Sequence, residues 1–100
     1  MSHYNLQRIA EMEEIYSHLK QESDSFNHAK ESESLSATEL QQRRATMLSM
    51  TDRLTAYYKS PDWRADFEAD EAGLLPKDMP RGILSEDGIY NLLEMIKEMI

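Results

Sequence analysis

Large apolar residues recur at Ile9, Met12, Tyr16, Leu19 and Phe26, separated by three, four, three and seven positions. Steps of three and four return to one side of an α-helix, so the spacing predicts a helix over about 4–32 whose apolar stripe seeks a core. Leu6 and Ile15 widen that stripe, and Glu, Gln, Lys, His and Ser fill most of the remaining positions. A second stripe runs through Leu40, Met47, Met50, Leu54, Tyr57 and Tyr58. Its start is marked twice. Ser36 and Glu39 have the spacing of a capping box, in which each side chain satisfies the other's backbone N–H. Leu35 and Leu40 stand where a hydrophobic staple fixes the entry of the chain. This helix is expected over about 37–59, because the residue before Pro61 is pushed away from α geometry.

Residues 60–94, SPDWRADFEADEAGLLPKDMPRGILSEDGIYNLLE, hold all three prolines, all three glycines and the only tryptophan. Ser60 suits an N-cap and Pro61 the first helical position, where a missing N–H is harmless. A short helix is predicted over about 61–71, with Trp63 and Phe67 on one face and Gly73 as its stop. The two prolines of LLPKDMPRG predict an extended strap. Ser85 then caps a last helix over about 86–99, with Leu84 and Ile89 in staple positions and Glu86 and Asp87 where the helix dipole favours acids. Ile89, Leu92, Leu93, Ile96, Met99 and Ile100 form its apolar face. At ~1.5 Å per residue the four helices measure about 43, 33, 15 and 22 Å. The economical architecture is all-α. An antiparallel helical hairpin is extended by the short helix and closed by the C-terminal one, a small bundle forming a single domain over 1–100.

The chain has 100 residues, 40% apolar and 30% charged, and a net charge of −8. A domain of this size buries about 63–65% of the surface its unfolded chain exposes, enough for one modest core and little enclosed site. No apolar run approaches the ~20 residues that span a bilayer. The start, MSHYNLQRIAEMEE, has neither a basic opening nor an apolar run, so a cytoplasmic location is expected. Without cysteine there are no disulfides, thiol nucleophiles or thiolate metal sites. The charge is uneven, at −4 over residues 1–38, +2 over 39–64 and −6 over 65–100. A basic middle helix between acidic neighbours helps to fix their pairing. The acidic balance argues against direct nucleic-acid binding, which relies on neutralising phosphates, and Arg43-Arg44 is too small a patch to reverse it.

The stretch YYKSPDWRADFEADEAGLLPKDMPRGILSEDGIYNLLE, residues 57–94, resembles the signature of a bacterial family of small helical proteins described as a domain of unknown function. The pattern is W-R-x-D-[FY]-E-x-D-E-A-G followed by L-P-x-D-L-x-R-G-[IV]-L-S-E-D. Trp63, Arg64, Asp66, Phe67, Glu68, Asp70, Glu71 and Gly73 match its first part. Pro76, Asp78, Arg81, Gly82, Ser85, Glu86 and Asp87 match its second, and Met79 stands in place of a leucine. The resemblance implies a small helical protein of bacterial origin and attaches no activity to it.

The acids of this stretch invite three readings. As a calcium loop starting at Asp66, it has Glu71 where glycine is needed and Lys77 where the bidentate acid is needed, so no metal site is expected. As acid–base pairs, Asp66 with Asp70 or Asp70 with Glu86 would serve catalysis. As a structural network, the same acids pair with Arg64 and Arg81. The network is the commoner outcome. His3, His18 and His28 fall on polar positions without ligand spacing, and no nucleophile elbow or phosphate-cradling loop is present. Trp63 is either the plug of the core or an exposed interface anchor. Tyr90 begins a Y-x-x-x-E pattern like that of small secreted helical hairpins, yet Trp63-Arg64-Ala65 lacks the glycine of their W-x-G turn.

These features point to a non-enzymatic interaction module without cofactors, a helical adaptor or modulator with an acidic surface, one version being a mimic of nucleic acid. Trp63, Arg64, Asp66, Phe67, Asp70, Arg81, Glu86 and Tyr90 form its candidate clasp or partner surface. Its partner is expected to be another protein, neither nucleic acid nor membrane, with Met95, Ile96, Met99 and Ile100 as the seam of a homodimer. The alternative is a small metal-dependent or carboxylate-based catalytic domain using acids of 66–87.

Overall fold

The structure, a computed structural model, describes residues 3–32 and 36–99. Its helices are α1 (Leu6–Ser32), α2 (Ala37–Tyr58), α3 (Pro61–Glu71) and α4 (Glu86–Met99), with a 3-10 turn at Gly82–Leu84 before α4. Each start has a physical cause. Asn5 caps α1, its side-chain oxygen accepting from the Arg8 N–H at 2.9 Å. The helix therefore begins at Leu6 rather than residue 4, and Leu6 is exposed instead of widening the stripe. Ser36 accepts from the Glu39 N–H at 3.2 Å. The staple residue Leu35 lies outside the described residues. Ser60 caps α3 with Pro61 at its first position, and Ser85 accepts from the Gly88 N–H at 3.1 Å to start α4.

α1 and α2 form an antiparallel hairpin. Arg43 donates to Ser25 at one end, and residues 8 and 57 share a partner at the other. α4 lies in the angle between them. It runs with α1, since Gly88 sits against Tyr16 and Met95 lies by Asp24, and so it opposes α2. The core joins all elements through Ile9, Leu19, Phe26, Met47, Leu54, Trp63, Leu84, Ile89 and Ile96.

The connector differs from the expected extended strap. Pro76–Met79 makes a tight turn, the Met79 N–H bonding the Pro76 carbonyl at 3.2 Å. The chain then coils into the 3-10 turn, burying Ile83 and Leu84. α3 packs on this turn and on α2. Gly73 ends α3 with φ of +73°, the left-handed conformation that a side chain strains to adopt. Gly88 has a different reason, because a Cβ there would stand 2.8 Å from the Tyr16 hydroxyl.

Candidate functional site

α3 places Asp62 and Asp66 one turn apart, facing the first turn of α1. Asp66 has 0% exposure. Its Oδ1 accepts from the Asn5 N–H at 3.0 Å and from Arg8 Nη2 at 2.6 Å. Its Oδ2 accepts from Arg8 Nε at 2.9 Å and from the Tyr57 hydroxyl at 2.6 Å. The guanidinium grips the carboxylate bidentately, the geometry that makes such pairs strong. Arg8 also donates to the His3 carbonyl at 2.8 Å and stands 3.6 Å from Asp62. One buried acid thus ties the start of α1, the end of α2 and the middle of α3.

The surroundings act on the protons as the geometry requires. The hydrogen bond to Asp66 raises the Arg8 pKa, against the opposing effect of burial. Burial, then the hydrogen bond and charge of Asp66, push the Tyr57 phenol well above its ordinary 10.0. Four donors occupy the two carboxylate oxygens, which leaves Asp66 no open lone pair for a substrate proton. Chemically the cluster is a clasp. Among the described residues, no group of three or more His, Asp or Glu is placed to hold a metal ion.

Trp63 is 5% exposed. It stacks on Phe67 with ring centroids 4.9 Å apart and meets the Tyr58 ring edge-on at 4.9 Å. Its indole N–H donates to the Ile83 carbonyl at 3.1 Å, and the Ile83 N–H donates to Glu13 at 2.8 Å. The 3-10 turn is therefore pinned to α3 and α1 through one residue. Trp63, Ile89 and the flanking Phe67 and Leu93 belong to one core cluster, and the 3-10 turn joins it through Ile83. Arg81 pairs with Asp70 at 3.2 Å, half exposed, where such a pair adds little. The partner of Asp66 is Arg8, not Arg64 or Arg81. Arg64, Glu86 and Tyr90 are exposed, and neither Arg64 nor Glu86 joins an ion pair among the described residues.

Asn5, Arg8, Glu13 and Tyr57 were missing from the sequence reading of the site. One signal for Arg8 was available: a cation in the first turn of a helix opposes the dipole, and its presence there asks for a partner. The residues expected at a dimer seam differ in exposure. Ile96 is 0% exposed and belongs to the core, Met99 packs against that core, and Ile100 lies outside the described residues. Of the four, Met95 is exposed.

Beside the clasp an apolar groove of about 480 Å³ runs between α2 and α4. Leu48, Thr51, Thr55 and Tyr58 form one wall, Tyr90, Leu93 and Ile96 the other, with Lys59, Glu94 and Lys97 on the rim. Leu48 (43% exposed) and Tyr90 (53% exposed) both stand along it.

A family model described as Domain of unknown function (DUF4298) matches residues 9–100. The chain belongs to that family. No curated protein and no solved structure matches it. The DUF4298 match takes in all of α2, α3 and α4, so both walls of the groove and the Tyr57 and Asp66 members of the clasp lie inside it, while Arg8 stands one residue before its start.

Proposed function

We propose that this DUF4298 protein is a non-enzymatic protein–protein interaction module of the cytoplasm, a helical adaptor or modulator. One observation carries the reading: two large apolar side chains, Leu48 and Tyr90, are left exposed along the same interhelical groove. Isolated apolar residues on a surface mean little, but a groove flanked by two of them is the shape that receives an amphipathic segment. The clasp supports this division of labour, since it spends the buried acid on holding the scaffold and leaves the α2–α4 face free of that task. Carboxylate catalysis is the weaker reading, because the one buried carboxylate among the described residues is saturated by donors.

The test is affinity purification from the native host with two baits, the wild-type chain and Leu48→Ala/Tyr90→Ala. Groove anchors of this kind cost about 2 kcal/mol or more when truncated, roughly thirtyfold in affinity each. A protein recovered with the wild type and lost with the variant, both baits being equally helical by circular dichroism, is the expected result. Identical recoveries by the two baits refute the groove.

A further inference from the structure

We infer that the occupant of the α2–α4 groove is a partner's amphipathic helix carrying an acidic residue at each end of its apolar face; this rests on the interaction reading above. The direction of the helices supplies the first argument. Because α4 opposes α2, Tyr90 lies toward Tyr58 and Lys59, and Lys97 lies toward Leu48. The two rim lysines therefore stand at opposite ends of the groove. Neither is in an ion pair among the described residues. On a chain of net charge −8, this one groove is bounded by two cations and a single acid.

Length supplies the second argument. From Leu48 to Lys59 the α2 wall advances by eleven residues, roughly 16 Å along the axis. A docked helix of equal length makes about three turns, and its positions i and i+11 return to nearly the same side. Acids at the two ends of those three turns come within reach of the long lysine side chains, and apolar residues at i+4 and i+7 lie over Thr55, Leu93 and the flanking Leu48 and Tyr90. Glu94 stands on the rim between the lysines, so it repels an acid in the middle of the ligand and sets the register.

A displayed library of 14-residue helices tests this, with leucine fixed at positions 5 and 8 and positions 1, 4, 9 and 12 randomised. It is selected on the full chain and counter-screened on Leu48→Ala/Tyr90→Ala. Groove-dependent clones are expected to carry Asp or Glu at positions 1 and 12. Lys59→Glu/Lys97→Glu should weaken them about tenfold at low salt, and less at high salt, where exposed charges are screened. Groove-dependent clones with lysine, arginine or no charge preference at positions 1 and 12 overturn the inference and leave the interaction reading standing. Absence of any groove-dependent clone overturns the helical occupant, and the purification above then judges the reading separately. A concentration-dependent dimer by sedimentation, abolished by Tyr90→Ala, overturns it in favour of a second copy of this chain.

Discussion

Breaking the Arg8–Asp66 pair from its two sides should give unequal costs, and the inequality follows from which charge is stranded. Removing one partner of a buried pair costs about 3–5 kcal/mol. Asp66→Ala leaves Arg8, whose side chain is 23% exposed and lies 3.6 Å from Asp62. That cation can be hydrated and re-paired, so a loss near the lower figure, about 3 kcal/mol, is expected. Arg8→Met instead strands a carboxylate of 0% exposure with only the Asn5 N–H and the Tyr57 hydroxyl as donors. Its cost should reach about 4–5 kcal/mol. Replacing both, as Arg8→Met/Asp66→Leu, removes both charges and should cost no more than about 2 kcal/mol, far below the sum of the single changes. Urea titrations of the four proteins at pH 7 give the complete cycle. Additive single changes, or an Arg8→Met cost smaller than that of Asp66→Ala, would refute the assignment of a coupled, solvent-excluded carboxylate.

Trp63→Ala should cost about 3–5 kcal/mol, since it empties a buried site and orphans the Ile83 carbonyl; a urea midpoint that hardly moves would place residue 63 at the surface instead. Gly88→Ala should destabilise although alanine is the better helix former by ~1 kcal/mol, because its Cβ would meet the Tyr16 hydroxyl. In a Tyr16→Phe background the penalty should shrink, leaving only the 3.1 and 3.2 Å approaches to Ser85, and thermal melts of the four proteins decide it. Alkaline titration tests the Tyr57 site. Its folded pKa is raised above the unfolded 10.0, so the stability it lends is complete below pH ~10 and is lost as pH rises beyond. Urea midpoints should fall above pH ~10, and Tyr57→Phe should lessen the fall.

The helices were legible because their signals are local. Ser36, Ser60 and Ser85 each cap a helix as their positions predict, and Pro61 opens α3. Spacing also separated most buried positions from exposed ones, with Leu6 a failure: it lies in the first turn of α1 and is exposed. The site was less legible because its partners are distant in sequence. Asp66 and Arg81 drew notice within an acid-rich stretch, whereas Arg8 and Glu13 look like ordinary members of a polar helix face. Nothing near residue 13 announces that its carboxylate receives the N–H of residue 83. The 3-10 turn escaped for a related reason, since Gly82 alone specifies no turn type and what holds the chain there is packing against the distant Tyr16 and Trp63.

The two tethers of α1 also set an order of events during synthesis. Arg8 waits for a partner 58 positions later, and Glu13 for one 70 positions later. At roughly 5–20 residues per second, translation leaves α1 without either anchor for several seconds after it emerges. In that interval its apolar stripe has only α2 to lie against, and the nascent hairpin is open to proteases and chaperones. A message truncated before codon 66 yields a product that lacks both anchors. The anchors of the first helix to be made are thus among the later parts of the chain to emerge.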